Sequence, residues 1–221
     1  MLQPLAYNPP AHNKLDILYR DKDLIAINKP SGLLSVPGRG SDKQDCMLSR
    51  LQLEQPHALV IHRLDMATSG LLLFALSKEM QRHMSMMFEK KLIYKQYIAK
   101  VHGALRENKG MIDQPLITDW NNRPKQKIDY NIGKPSQTRY TLLTTDEKNN
   151  STVKLEPVTG RSHQLRIHMS SLGHPILGDE LYGTQQTRNA SQRLLLHAKK
   201  LSFQHPLLHK QINIICDIDF I

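Results

Sequence analysis

The apolar runs of this chain are short, and this feature most constrains what it can fold into. Two pairs of such runs flank polar turns, at residues 17–19 and 24–28 and at residues 138–145 and 152–158, which is typical of β-hairpins. Further strands are predicted at residues 58–61, 70–76, 93–102, 194–203 and 211–216. A chain built this way needs a large sheet to bury its apolar side chains.

Three helices are predicted among the strands. One covers residues 46–55, and a second begins after Ser77, a residue type that caps helices, and runs to about residue 91. A third covers residues 162–172 and ends at Gly173, the residue type favoured just past a helix end. We therefore expect one α+β domain with a mixed, mostly antiparallel central sheet and flanking helices. It should span residues 15–221, after an extended arm at residues 1–14.

The charge of the chain indicates a polyanionic partner without proving one. Thirty Lys and Arg against twenty Asp and Glu give a net charge of +10. Aromatic residues make up only 5%, which argues against a single-strand binder that stacks rows of bases. No apolar run is long enough to span a membrane, so we expect a cytoplasmic protein without a membrane partner. Nothing indicates an obligate protein partner.

Two segments could carry chemistry. The loop at residues 62–70 holds Arg63 and Asp65 between two apolar strands, although the same pattern would suit a surface turn with a local ion pair. The helix opening at residues 159–166 places His163 and Arg166 on one face. Arg166 adds positive charge near a positive helix end, which makes sense if an anion lies opposite, but a solvated arginine is the alternative.

Two further features allow both a structural and a functional interpretation. Tyr97 lies in a predicted strand, where it could be ordinary packing or a platform for a base. Residues 119–136 form a basic, irregular excursion in which Arg123, Lys125 and Lys127 are either a solvated charge run or a grip on phosphates.

Motifs for other chemistries are missing. The sequence has no Walker-type or dinucleotide-binding glycine loop, no Gly-x-Ser-x-Gly elbow and no His-Glu-x-x-His. Its two cysteines, Cys46 and Cys216, lie too far apart in sequence for a zinc motif and are expected to be free thiols. We expect no cofactor and no metal.

Several motifs occur together in one order and spacing. They are NKPSGLLSVPG at residues 28–38, HRLDMATSG at 62–70, KQY at 95–97, GRSHQLR at 160–166, HPILGD at 174–179 and LLLHA at 194–198. In this combination the chain resembles the RluA family of pseudouridine synthases over about residues 15–217. The resemblance implies the pseudouridine synthase fold with a central RNA-binding cleft and no cofactor.

The resemblance also implies roles for individual residues. Asp65 is expected to be the catalytic carboxylate, Arg166 its partner and Tyr97 the ring that packs on the target base. Arg63 is similar to the residue that can occupy the stack vacated by a flipped base. The side chains expected to contact RNA are Lys29, His62, Arg63, Arg123, Lys125, Lys127, Arg161 and His163.

The implied substrate is structured RNA. The excursion is similar to that of short family members that modify the anticodon stem-loop of tRNAs and a stem-loop of large-subunit rRNA, and we expect no N-terminal S4-type domain. A uridine in such a loop must be flipped out for its ribose to be reached. Two alternatives remain open: the same chemistry on another RNA site, and a non-catalytic module for RNA binding or ribosome assembly.

Overall fold

A computed structural model describes residues 7–12 and 14–220 of the chain. Its secondary structure within these residues runs as follows: β1 Ile17–Arg20, β2 Leu24–Lys29, α1 Met47–Gln52, β3 Leu59–Val60, β4 Ser69–Ala75, α2 Lys78–Glu89, β5 Tyr94–Val101, β6 Lys109–Asp113, β7 Leu116–Thr118, β8 Gln126–Ile128, β9 Gln137–Thr145, β10 Ser151–Pro157, α3 Gln164–Ser171, α4 Gln185–Asn189, β11 Leu196–Gln204 and β12 Gln211–Ile215. Among these described residues, no helix has the length and apolar composition needed to cross a membrane.

A ten-stranded sheet organises the molecule. Its main path is β1-β2-β4-β11-β5-β10-β9-β6, with β12 beside β11 and β3 beside β4. Strands β4 and β11 pair in parallel, and the other pairs described in this sheet are antiparallel. The prediction of an α+β fold with a mixed, mostly antiparallel sheet is confirmed.

The parallel pair brings two backbones unusually close. Gly70 has φ +105°, and a Cβ there would lie 2.5 Å from the carbonyl oxygen of Ala198 and 2.7 Å from its nitrogen. Only glycine avoids that contact and adopts this φ without strain. The glycine that ends the 62–70 motif therefore allows β4 to join the centre of the sheet and places the preceding loop over the middle of the molecule.

Two hydrophobic clusters meet at Tyr97. One gathers apolar side chains from β2, β4, α1 and α2, and the other gathers them from β5, β10 and α3. Tyr97 of β5 packs against both clusters. Its ring is therefore held from two sides at the junction that becomes the cleft.

The predicted helices and strands are present, with ends shifted by a few residues. Ser77 caps α2 by accepting a hydrogen bond from Met80 N, and Gly173 follows α3 with φ +82°. The description of residues 119–136 as irregular was partly wrong, because β8 lies within them and pairs with β7. Strand β8 has no apolar run to reveal it, since its sequence is Gln-Lys-Ile. Strands β6 and β7 and helix α4 were also missed.

Residues 1–6 and 13 of the predicted arm lie outside the described residues. The part of the arm that is described packs on the domain. Tyr7 donates a hydrogen bond to Asp45 O, and the carbonyls of Pro10 and Ala11 accept hydrogen bonds from Arg50. This described stretch forms no helix or strand and is anchored by polar contacts.

Candidate active site

A cleft of about 840 Å³ lies where the two clusters meet. Its walls come from residues 34–36, from the loop at 62–68, from β5 around Tyr97 and from residues 157–166. The predicted residues His62, Arg63, Asp65, Tyr97, Arg161, His163 and Arg166 all line it. Segments far apart in sequence thus place their polar side chains in one space.

The loop that carries Asp65 is held by hydrogen bonds from Ser31 and Ser35. Ser35 Oγ donates to Leu64 O at 2.8 Å and accepts from Leu64 N at 3.1 Å, while Ser31 Oγ donates to Ala67 O at 2.7 Å. Within the loop, Thr68 N donates to Asp65 O. These bonds to the residue 28–38 motif fix the backbone on both sides of Asp65, whose side chain remains 26% exposed to the cleft.

The prediction that Lys29 contacts RNA is wrong for this structure. Lys29 is fully buried, and its ammonium group donates to the carbonyls of Pro30, Leu33 and Met66. Burial, opposed by the charge of Asp65, lowers the pKa of Lys29 to about 7. Because three carbonyls take its three hydrogens, Lys29 ties the loop of Asp65 to the 28–38 segment and has none left for a phosphate.

Arg166 contacts Asp65, but its main partner is another residue. Its Nε and Nη2 donate to the two carboxylate oxygens of Asp179 at 2.8 and 2.7 Å, whereas Nη1 reaches Asp65 Oδ2 at 3.4 Å. Burial opposes the charge of Arg166, but hydrogen bonding to Asp179 and the negative charges of Asp179 and Asp65 together outweigh it and raise the pKa of the guanidinium. Arg166, the expected partner of Asp65, therefore makes its two-bond contact with Asp179, and Asp65 receives a single longer contact.

His163 lies beside this pair in an unusual backbone conformation. It precedes α3 with φ 56° and ψ 14°, and its Nε2 is 3.9 Å from Asp65 Oδ1. Its Nδ1 is 2.6 Å from the hydroxyl oxygen of Tyr182. Burial, opposed by the charge of Asp65, lowers the pKa of His163, so the ring is neutral near pH 7.

Tyr97 faces the cleft from β5. Burial, and then the charge of Asp65, raises the pKa of its hydroxyl far above the ordinary value. The side chain is therefore a neutral phenol at physiological pH, with a ring that can pack on a base and a proton that it keeps.

The remaining predicted RNA contacts fall into two groups. Arg63 and Arg161 are exposed at the cleft, and His62 lines its wall with Nε2 accepting from Leu73 N and its ring stacked on Phe88. The second group, Arg123, Lys125 and Lys127, lies on the β7–β8 hairpin, where the Arg123 guanidinium lies 3.6 Å from the centroid of the exposed Trp120 ring. Contact with RNA stays a prediction for both groups.

Several residues at the site were not singled out from the sequence. Lys95 lines the cleft and donates to Thr159 O, and its two-residue spacing from Tyr97 on a strand could have revealed it. Asp179 accepts two hydrogen bonds from Arg166, and the Tyr182 hydroxyl contacts His163 Nδ1. The 174–179 motif contains Asp179, but nothing local indicates its partner, and Tyr182 carried no signal.

One group of residues has the composition of a metal site. Ligand atoms of Asp21, Asp23 and His205 lie within 4.8 Å of one another, which the sequence did not indicate because His205 is distant along the chain. However, His205 Nδ1 accepts hydrogen bonds from Leu207 N and Leu208 N. With Nδ1 accepting, the ring carries its hydrogen on Nε2, which lies 3.3 Å from Asp21 Oδ2 and has no lone pair for a metal.

Comparison with known proteins gives one consistent result. Residues 23–171 match the family model described as RNA pseudouridylate synthase. The chain is 48% identical to a Vibrio parahaemolyticus protein named dual-specificity RNA pseudouridine synthase RluA, over 98% of this chain and 88% of that protein. It is 47% identical to the Escherichia coli K12 protein of the same name, over 97% and 98%.

Solved structures agree with this result. The human protein RNA pseudouridylate synthase domain containing 1 superposes with a TM-score of 0.81 at 29% identity, covering 97% of this chain and 87% of that one. The human domain containing 4 protein gives a TM-score of 0.72 at 25% identity, covering 93% and 89%.

Proposed function

This chain belongs to the RNA pseudouridylate synthase family, and from that premise we propose which of its residues act and which RNAs it modifies. It is an enzyme that isomerises uridine in RNA to pseudouridine. The observation that carries the assignment of the site is the position of Asp65, a partly exposed carboxylate in a cleft whose other charged groups are mainly cationic.

The proposed chemistry breaks the bond between ribose C1′ and uracil N1, turns the base, and joins C1′ to C5. The hydrogen lost from C5 is balanced by one gained at N1, so product and substrate have the same composition. Asp65 acts at the ribose, either on carbon or on a sugar proton, and both roles need the ionised carboxylate. Arg166 favours that form through its contact with Asp65 Oδ2, and the Asp65 side chain keeps part of its surface in the cleft.

Tyr97 is proposed to hold the uracil. A flipped base needs a surface to replace the neighbours it left, and an aromatic ring supplies one that suits the turned base as well as the original one. The neutral hydroxyl of Tyr97 adds no charge that would repel the base or the ribose. Arg63, an exposed residue of the cleft lining, is proposed to occupy the gap that the flipped base leaves in the RNA.

The proposed substrates are the anticodon stem-loop of tRNAs and a stem-loop of large-subunit rRNA. Support comes from two proteins named dual-specificity RNA pseudouridine synthase, to which the chain is 48% and 47% identical over nearly its full length. The basic β7–β8 hairpin gives further support. Such RNAs place the enzyme in the cytoplasm. Mapping pseudouridine in cells with and without the gene tests the sites directly; unchanged sites in both RNAs would leave the alternative of another target.

Asp65→Asn tests the catalytic assignment. The change removes a charge with little change in shape, so single-turnover conversion of a saturating RNA hairpin should fall to background. Binding should persist or tighten because a negative charge leaves a basic cleft. Asp217→Asn, at a fully exposed aspartate, is the matched control and should convert normally. Normal conversion by Asp65→Asn would overturn the catalytic role of Asp65 and favour the binding-module alternative.

A further inference from the structure

A chain of polar groups connects the β7–β8 hairpin to the catalytic carboxylate. Gln126 N, at the start of β8, donates to the hydroxyl oxygen of Tyr182 at 2.8 Å, and that oxygen lies 2.6 Å from His163 Nδ1. His163 Nε2 faces Asp65 Oδ1. The inference drawn from these polar contacts rests on the proposed function, because it depends on the catalytic role of Asp65.

The Gln126 contact favours one tautomer of His163. The Tyr182 oxygen accepts the Gln126 amide hydrogen, which leaves its own hydrogen to be donated, and His163 Nδ1 lies 2.6 Å away as an acceptor for it. A neutral imidazole with an accepting Nδ1 carries its hydrogen on Nε2. In that tautomer the hydrogen of His163 is aimed at Asp65.

Asp65 consequently has one donor facing each oxygen. Arg166 Nη1 lies 3.4 Å from Oδ2, and His163 Nε2 lies 3.9 Å from Oδ1. The second distance exceeds that of a hydrogen bond by about 1 Å. Contacts in an active site without substrate are commonly longer than in the reacting complex, so a small closure completes the bond.

The backbone of His163 supports a role for its side chain. A non-glycine residue with φ near +56° is uncommon, although histidine, like asparagine and aspartate, adopts it more often than other non-glycine residues do. The strained position is occupied by a side chain that is only 13% exposed, with Nδ1 in contact with Tyr182 and Nε2 facing Asp65. Strain of this kind accumulates where a side chain must point in one direction.

We propose that Tyr182 and His163 are positioning residues that hold Asp65 for reaction and link its orientation to the β7–β8 hairpin. RNA held by that hairpin keeps the Gln126 amide against Tyr182. Tyr182 keeps the Nε2–H form of His163, and His163 orients Asp65 Oδ1. Tyr182 is not among the described residues that line the cleft, so its hydroxyl acts through His163 rather than on the nucleotide.

Tyr182→Phe is the main test, because it removes one hydroxyl and keeps the ring. In steady-state assays on a prefolded RNA hairpin, kcat should fall on the order of 10-fold, as expected for one lost positioning hydrogen bond, with KM and RNA affinity unchanged. Tyr19→Phe is the matched control, since it removes a tyrosine hydroxyl bonded to Asp21 at 2.6 Å in the β1–β2 turn. A kcat for Tyr182→Phe equal to that of Tyr19→Phe would overturn the proposal.

Two variants of His163 test its contact with Tyr182 and its contact with Asp65 separately. His163→Asn suits the backbone and can still accept from Tyr182, but it cannot reach Asp65. His163→Gln can reach Asp65 but is too long to keep the Nδ1 contact. Both should lower kcat, and adding Tyr182→Phe to His163→Asn should cause no further loss, because the two residues act as a unit. An additive loss would contradict the link, while unfolding of either variant would leave Tyr182→Phe as the deciding variant.

A spectroscopic measurement gives a readout that a purely structural role would not change. With ¹⁵N-labelled histidine, His163 should show an unprotonated Nδ1 and a protonated Nε2 in the wild type and in Tyr19→Phe. Tyr182→Phe should show a mixture of tautomers. The same pure tautomer in all three proteins would refute the role of Tyr182. These outcomes are distinct from those of Asp65→Asn, which tests the proposed function itself.

Discussion

One arginine holds two carboxylates, and the unequal division explains how Asp65 can be both anchored and available. Asp179 is completely buried and takes the two short bonds of Arg166, so it fixes the direction of the guanidinium. Asp65 receives the remaining nitrogen at 3.4 Å and keeps contact with the cleft. The buried pair of Arg166 and Asp179 thus holds the guanidinium against Asp65, whose carboxylate remains available for chemistry.

Tyr97 carries a prediction that separates its ring from its hydroxyl. Tyr97→Phe should retain base packing and most activity, whereas Tyr97→Leu should lose activity on the order of 10-fold or more, because stacking contributes about 1–3 kcal/mol per base. Single-turnover conversion measures this. Equal loss in both variants would assign the effect to the hydroxyl, and full activity in both would remove Tyr97 from the site.

Lys95 predicts a pH dependence of RNA binding. Burial, and then the charge of Lys91, lowers the pKa of Lys95 to about 8, so the cation is lost as pH rises through that value. Wild-type affinity should weaken a few-fold between pH 7 and pH 9 at constant ionic strength. Lys95→Arg stays charged and should abolish most of that change. Binding titrations at the two pH values test it, and equal weakening in both proteins would show that Lys95 is not the titrating contact.

At the scale of elements, the β7–β8 hairpin contributes none of the described residues that line the cleft. It presents Arg123, Lys125 and Lys127 beside the exposed ring of Trp120 and contacts the rest of the site through Tyr182. A short two-stranded element is marginal alone, and the Tyr182 contact helps to hold it. We propose that its cationic side chains bind the phosphates of the RNA stem outside the cleft.

Changing Arg123, Lys125 and Lys127 together to Ala should weaken RNA binding and reduce its salt dependence. Each lost phosphate contact should lower the log–log slope by about 0.7–0.9. The matched control removes the same charge from three exposed lysines in other turns, Lys22, Lys148 and Lys210. Equal slopes for the two triple variants would show that the hairpin lysines and arginine are only a solvated face.

At the scale of the whole molecule, buried neutral histidines should make the fold acid-sensitive. Burial, and then the charge of Lys95, lowers the pKa of His62 from 6.5 to about 3. Between these values the unfolded chain binds a proton that the folded chain does not, so stability falls as pH falls. His163, His168 and His197 have lowered pKa values and act in the same direction.

His62→Gln isolates one part of that effect, because glutamine can accept the bond from Leu73 N without titrating. Between pH 7 and pH 5 the wild type should lose up to about 2 kcal/mol more unfolding free energy than the variant. Urea unfolding at both pH values measures the difference. An identical loss in both proteins would mean that His62 takes up its proton in the folded state.

The sequence by itself determined most of the helices and strands of this protein and the family to which it belongs. Alternating apolar residues and turn residues act over a few positions, so the hairpins, the cap at Ser77 and the helix end at Gly173 could be predicted. The motifs around Asp65, Tyr97 and Arg166 indicated the chemistry because their residues lie close together along the chain.

Tertiary structure alone decided how those residues are used. Lys29 could be predicted as a cation but not as a buried clamp, because its partner Met66 lies 37 positions away. Arg166 and Asp65 are separated by 101 positions, and Tyr182 joins Gln126 to His163 across 56 and 19 positions. Local periodicity carries no information on such contacts. They arise only when the central sheet brings β5, α3 and the loop before β4 to one cleft.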